Sequence, residues 1–327
     1  MAQRAQSLLV GLIAVLALVG PAVAPAAVDA QAPDTVRIGV GVDPGYVPWW
    51  VADEKGYFKK YNINADIKHF TSGPEMADSA MAGEVDFASA GTATLMPRIA
   101  RGNLAVLATM SLSASAFKVV AWHTIKSPED LRGKKVGTVG GSTTDYLWAL
   151  MAKKYGIPEN ELQIISIPPP ELIPALDRGD IQAFMVWEPW PTRALEISGR
   201  DKVKILLSGG DFGYLQHFIV VVNRKLSDAK PDATARVLAA LRDALAFTNT
   251  NRAEAVKIAA TKTHLKPELT APIVDLYKYS LSLTDEMRAA AKAEEAWMRS
   301  KGRIKADPID WNKTIDSKFY EKAITLK

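Results

Sequence analysis

The chain has 327 residues and a mass of 35.5 kDa, enough for about two domains at roughly 150 residues each. Hydrophobic residues make up 48% and charged residues 23%, which excludes a disordered chain, and the lack of cysteine excludes disulfides, cysteine-held zinc, iron–sulfur clusters and thiol nucleophiles. The formal net charge of +4 is small and evenly spread, and gives no basis for nucleic-acid binding.

The N-terminus reads as an export signal. Arg4 supplies a positive start, residues 8–19 (LLVGLIAVLALV) are apolar, and Pro21 breaks any helix there. A membrane span needs about 20 apolar residues, more than this run provides. Val28-Asp29-Ala30 has the small-residue pattern of a cleavage site, so residues 1–30 are expected to be a signal peptide. With no cysteine after the run, a lipoprotein anchor is excluded. The mature product is expected to be a soluble, exported, periplasmic protein.

Strands are expected at residues 36–42, 65–70, 85–90 and 104–110, with helices over 48–60, to Ala82 and to Arg101 between them. The alternation starts again with strands at 117–122, 135–139, 163–167, 183–187 and 203–207, interleaved with helices ending at Tyr155, Asp177 and Ser198. Such alternation predicts βαβ units and a mostly parallel sheet. A strand at 217–222 follows, then helices over 231–250, 252–261, 267–281 and 285–301. The two stretches look like one unit used twice. Lys60-Tyr61-Asn62-Ile63 leading to Gly83-Glu84-Val85-Asp86-Phe87 matches Lys154-Tyr155-Gly156-Ile157 leading to Gly179-Asp180-Ile181-Gln182-Ala183. No low-complexity linker separates them. Two α/β lobes with the chain crossing out and back are therefore expected, the crossings near 119–121 and 219–221. That gives lobe 1 as 34–119 plus 220–327 and lobe 2 as 120–219.

In open α/β sheets ligands bind beyond the carboxyl ends of the strands. The residues there are rich in Ser, Thr, Gly and aromatics and lack Lys, Arg and His. They include Asp43, Tyr46 and Trp49 after the first strand, then Thr71, Ser72 and Gly73, then Gly91 and Thr92. The second unit adds Ser142 and Thr143, Trp187 and Glu188, and Asp211. Several of these loops open a helix, whose free N–H groups suit a sulfonate, carboxylate or phosphate. The hydroxyls add donors, though each of Ser72, Thr92 and Ser142 also fits a simple helix cap. Tyr46, Trp49 and Trp187 are candidates for an apolar wall, while Trp148, in mid-helix, reads as core. Glu188, Asp43 and Asp211 are candidates for a ligand amine. His69, His123, His217 and His264 share no metal spacing, and there is no nucleophile elbow or P-loop, so neither catalytic residues, metal nor cofactor are expected.

Gly45-Tyr46-Val47-Pro48 with Val51-Ala52-Asp53-Glu54-Lys55-Gly56-Tyr57-Phe58 resembles the opening of substrate-binding proteins of ABC importers. The type is the nitrate, sulfonate and taurine one, related to the thiamine-pyrimidine-precursor type. Gly83-Glu84-Val85-Asp86-Phe87, Ser127-Pro128-Glu129-Asp130-Leu131-Arg132-Gly133-Lys134-Lys135-Val136-Gly137 and Trp187-Glu188-Pro189 carry the same likeness. The resemblance implies a type II periplasmic binding fold, with two α/β lobes joined by a two-strand hinge that close on a ligand. It also implies permease and ATPase partners, and the chain is expected to be a monomer. A small organic anion leads as ligand, an aliphatic sulfonate or a taurine-like compound. A pyrimidine or other nitrogen heterocycle is the alternative, and a pyrimidine-synthase-like enzyme a minor one.

Overall fold

The computed structural model describes residues 32–327, so the expected signal peptide lies outside the described residues. Eleven strands occur in them: β1 (Asp34–Val40), β2 (Ile63–His69), β3 (Phe87–Gly91), β4 (Leu104–Ser113), β5 (Phe117–Trp122), β6 (Lys135–Thr138), β7 (Gln163–Ser166), β8 (Ala183–Trp187), β9 (Val203–Ser208), β10 (Gln216–Asn223) and β11 (Lys278–Ser282). They form a six-stranded sheet ordered β11-β4-β10-β3-β1-β2 and a five-stranded sheet ordered β7-β6-β8-β5-β9. Each sheet with its helices is one lobe, as the alternation of elements predicts.

The order β2-β1-β3-β10-β4 repeats as β7-β6-β8-β5-β9. In the first sheet β1 is parallel to β2 and β3, and β10 is antiparallel to both β3 and β4. In the second, β6 is parallel to β7 and β8, and β5 is antiparallel to β8 and β9. One reversed strand thus sits inside an otherwise parallel set, and it is the strand arriving from the other lobe. The doubled sequence motif occupies equivalent places. Gly83 and Gly179 both follow a helix with φ of 79°, a left-handed conformation that costs a side-chain-bearing residue free energy. Three residues later, the Asp86 side chain accepts from the Arg37 N–H of β1 (2.8 Å), and the Gln182 side chain accepts from the Lys135 N–H of β6 (3.1 Å).

The crossings differ from the expected places. All of β5 belongs to the second sheet and all of β10 to the first, so the chain crosses at 114–116 and 209–215 rather than within strands at 119–121 and 219–221. The apolar runs of β5 and β10 are long because both faces are buried inside a sheet, not because they span two lobes. The crossings touch, with the Gly210 N–H donating to the Ala114 carbonyl at 2.6 Å. A Cβ on Gly209 would lie 3.1 Å from that carbonyl oxygen, which favours glycine there.

The second difference is β11. The expected helix over 267–281 stops at Val274, and Lys278–Ser282 pairs antiparallel with β4. Tyr279, Leu281 and Leu283 alternate with serines, a period of two rather than 3.6. Pairing also satisfies backbone groups along the far edge of β4. Beyond it, the helix Asp285–Ser300 packs on helix Thr92–Ile99 of the first lobe and on Thr143–Lys154 of the second.

A Cβ added at Gly179 would meet no atom within 4 Å, so Gly179→Ala incurs only the backbone cost. We expect it to destabilise the protein by about 1 kcal/mol in urea unfolding, with no change in the slope of the transition.

Candidate functional site

A cavity opens between the lobes, at the edge where the parallel strands of both sheets end. The first lobe supplies Gly41, Val42, Asp43 and Tyr46 after β1, Thr71, Ser72 and Gly73 after β2, and Ala90, Gly91 and Thr94 around the end of β3. The second supplies Ser142 and Thr143 after β6 and Trp187 at the end of β8. The reversed strands present their first residues at the same edge, Phe117 on β5, and Gln216 and Phe218 on β10.

Three helices start at this cavity: Gly73–Ala82, Thr92–Ile99 and Thr143–Lys154. Ser72 precedes the first but makes no side-chain cap, which leaves its hydroxyl available to the cavity. Ser142 does cap its helix, its Oγ accepting from the Thr144 N–H at 3.2 Å and lying 2.8 Å from Thr144 Oγ1. The lobes meet over the cavity floor. The Thr143 N–H donates to Thr94 Oγ1 at 3.0 Å, and the two threonine hydroxyls are 3.0 Å apart. A Cβ on Gly91 would stand 2.7 Å from Thr143 Oγ1, so glycine lets the second lobe approach.

The walls are aromatic. Phe117 and Trp187 are cross-strand partners with rings edge-on at 6.2 Å. Tyr46 meets Phe218 edge-on at 5.0 Å and donates its hydroxyl to the Ser89 carbonyl. The turn carrying Asp43 and Tyr46 is held from the β11 side. The Tyr279 hydroxyl donates to the Pro44 carbonyl at 2.9 Å, and the Tyr277 hydroxyl donates to Asp43 Oδ1. Asp43 also accepts from the Gly45 N–H at 2.6 Å. Burial pushes its carboxyl up to about 7 despite those two donors.

Of the residues singled out from sequence, Tyr46, Ser72, Gly91, Ser142, Thr143 and Trp187 line the cavity, as does Asp43. Four others do not. Trp49 is fully buried in the first lobe, stacked on Phe58 at 6.2 Å with its indole N–H donating to Ser89 Oγ at 3.0 Å. Thr92 points away, toward the buried Glu294, whose carboxyl its hydroxyl approaches without a well-formed hydrogen bond. Glu188 is fully buried but spoken for: Oε1 meets Lys118 Nζ at 2.6 Å and Oε2 accepts from the Thr192 N–H at 3.2 Å. Asp211 caps its own turn, accepting from the Ser208 N–H at 2.7 Å, and is exposed. Trp148 is core, as its mid-helix position predicts, with its N–H donating to the Gly137 carbonyl at 3.2 Å. Sequence reasoning missed Thr94, Phe117, Gln216 and Phe218. The signal for three of them is that a strand returning from the other lobe starts, rather than ends, at the cleft.

Removing one member of the Lys118–Glu188 pair strands a charge in a site where Glu188 is fully buried and Lys118 one-fifth exposed. We expect Glu188→Gln to cost about 2–4 kcal/mol of stability by urea unfolding, whatever its effect on ligands. Glu294, raised by burial to about 8, holds its proton more tightly folded than unfolded. Its stabilising contribution is complete below the ordinary carboxyl range and declines as pH rises toward about 8. His217, lowered by burial, works in the opposite sense at lower pH. The comparison that isolates Glu294 is therefore between variants: Glu294→Gln should gain stability relative to the parent as pH goes from about 5 to about 8, read as a growing difference in Tm.

A putative binding protein of Brucella abortus is 29% identical over 214 residues, which cover 64% of this chain and 65% of that protein. The chain thus spans just under two thirds of the length of the first relatives it matches. A putative aliphatic sulfonates-binding protein of Bacillus subtilis is 24% identical over 295 residues, 88% of each chain. The solved alkanesulfonate-binding protein SsuA from Xanthomonas axonopodis pv. citri, bound to MOPS, superposes with a TM-score of 0.77 at 19% identity, covering 88% of this chain and all of that one. At that identity the superposition speaks for the fold. The family model described as NMT1/THI5 like matches residues 43–255, from Asp43 at the cavity through both crossings, and the chain belongs to that family.

Proposed function

We propose that this chain is the extracytoplasmic solute-binding component of an ABC importer, and that it holds a small organic oxyanion between its lobes. The observation that carries the reading is the lining itself. Two helix N-termini, those of Gly73–Ala82 and Thr92–Ile99, and the hydroxyls of Ser72, Ser142 and Thr143 converge on one cavity with no Lys, Arg or His among its described lining residues. Such a site neutralises an oxyanion with N–H and O–H donors alone. The aromatic walls suit the apolar body of an organic sulfonate or carboxylate. The sulfonate-binding names of its relatives support the same ligand class.

Capture follows from where the donors sit. Ser72 and Gly73 belong to one lobe, Ser142 and Thr143 to the other, so a bound anion bridges them and favours the closed arrangement. A permease and an ATPase complete such an importer. The expected signal peptide supports a periplasmic location for this component; among the described residues no helix is long and apolar enough to cross a membrane. The heterocycle alternative has aromatics stacking on the ligand and acids recognising it; of those acids Glu188 is paired with Lys118, whereas Asp43 lines the cavity.

Isothermal titration with aliphatic and aromatic sulfonates and carboxylates tests the reading, and at least one should bind. Ser72→Ala should weaken that ligand by about 1–2 kcal/mol with little change in Tm, because this hydroxyl makes no cap. Ser142→Ala should lower both affinity and Tm, because its hydroxyl does.

A further inference from the structure

The helix Asp285–Ser300 follows β11 of the first lobe but lies against both lobes. It packs on the helix Thr92–Ile99 and reaches the second-lobe helix Thr143–Lys154. Its last turn and the residues just after it are fastened to the second lobe. Trp297 meets Tyr146 edge-on at 5.2 Å, Lys301 pairs with Glu159 at 2.6 Å, and Arg303 pairs with Asp145 at 2.6 Å. A rotation of the lobes must lift the second lobe off this helix.

Glu294 sits one turn before Trp297 on that helix and is 2% exposed. It faces Thr92 of the first lobe, Tyr146 of the second, and Tyr214 on the tether between them. Tyr214 in turn stands edge-on to Tyr146 at 6.4 Å. None of these groups is a cation. The arginines of the packed elements are engaged elsewhere: Arg98 with Asp78, Arg288 with Asp285, Arg299 with Glu295 and Arg303 with Asp145. Lys153 and Lys292 are exposed. Glu295 turns to Arg299 and the Trp311 indole N–H, while His217 on β10 faces Glu286 and is pushed down by burial. Glu294 Oε2, Thr92 Oγ1 and the Tyr214 hydroxyl all lack a hydrogen-bond partner. A carboxylate enclosed in this way is costly, and burial pushes the Glu294 carboxyl up to about 8. With Tyr146 swung away, water reaches the carboxyl and returns it toward the ordinary carboxyl range.

We propose that Glu294 is a proton-operated catch for the cleft: the lobes shut with uptake of one solvent proton onto its carboxylate, and open as that proton leaves. Its bearing on the ligand rests on the reading of the cavity as an oxyanion site. The helix that Thr92 opens starts at that cavity, and the Tyr214 hydroxyl approaches Thr143 of its lining. An oxyanion held there favours the shut lobes and disfavours a second negative charge nearby, so it binds together with the proton. Closure is then most favourable at low pH and weakens as pH rises toward about 8, by up to about tenfold per pH unit between the open and shut ionisation ranges. Asp43 also lines the cavity and is held up at about 7 by burial, so it adds a fall in anion affinity of the same sign. Its donors, the Gly45 N–H and the Tyr277 hydroxyl, both belong to the first lobe, and a swing leaves them in place.

Small-angle X-ray scattering of the ligand-free mature chain tests the catch itself. The parent should show a larger radius of gyration at pH 9 than at pH 6, and Glu294→Gln, neutral at both, should keep one radius. Calorimetric titration with ethanesulfonate, toluenesulfonate and benzoate tests the coupling to the cavity. Between pH 6 and pH 8 the parent should lose about ten times more affinity than Glu294→Gln for whichever of the three binds, and at pH 6 the two should agree within about threefold. Buffers of different ionisation heat should show more proton uptake on binding by the parent than by the variant at pH 7. A side chain that merely packs would shift affinity equally at every pH. Glu294→Met, of similar length and also neutral, takes the place of the glutamine variant if that does not fold. A parent radius that does not rise with pH, or equal pH profiles in parent and variant, would overturn the proposal and leave the oxyanion site standing. If none of the three anions binds, the oxyanion reading fails, and the scattering alone decides the catch.

Discussion

One chain must leave the first lobe, build the second and come back. That constraint fixes nearly everything about the cavity. It puts a reversed strand inside each sheet, β5 in one and β10 in the other, and brings their first residues to the edge where the parallel strands end. Loops after parallel strands supply helix N-termini and hydroxyls. The returning strands supply Phe117, Gln216 and Phe218, side chains planted in rigid sheet rather than in loops. A cavity lined from both sources has donors borne on loops and helix starts and side chains seated in the sheets. The same crossing also hydrogen-bonds the two tethers to each other, through the Gly210 N–H and the Ala114 carbonyl.

Much of the fold was legible in the residues because its elements are regular. The strands β5 and β8 and the helix Pro231–Thr250 fall where the periodicity predicts them. The doubled Tyr61 and Tyr155 motifs point to a strand order that does recur. The failures have specific causes. β11 hides in a short alternating run directly after a helix that contains Pro272, and its pairing partner lies far away in sequence. The crossings were misplaced because a long apolar strand reads the same whether it spans two lobes or is buried within one.

The site was legible only in part, and the division is physical. Glycines and hydroxyls after parallel strands announced themselves, since helix starts have a composition of their own. What the sequence does not carry is competition for a side chain. Glu188 looks like a free acid until Lys118, on the neighbouring strand, is seen to hold it. Trp49 looks like a wall until Phe58 and Ser89 enclose it. Asp43, Glu188 and Asp211 were all acids that the sequence offered for a ligand amine. Burial and partners separated them: Lys118 holds Glu188, Asp211 caps its own turn, and Asp43 alone of the three lines the cavity.

The first tether, residues 114–116, is only three residues long and reaches about 10 Å at full stretch. Its neighbour is pinned to it at Gly210. Lobes joined in this way swing about the tether pair but hardly slide or separate along it. Any opening is then a rotation, which moves atoms in proportion to their distance from that axis. Neither Thr94 and Thr143, which meet across the cleft, nor the ion pair of Arg303 and Asp145 at 2.6 Å beyond it can survive a wide swing. The arrangement of the lobes is therefore held partly by the protein's own polar contacts, one pair lining the cavity and one beyond it, and a rotation about the tethers has to break both.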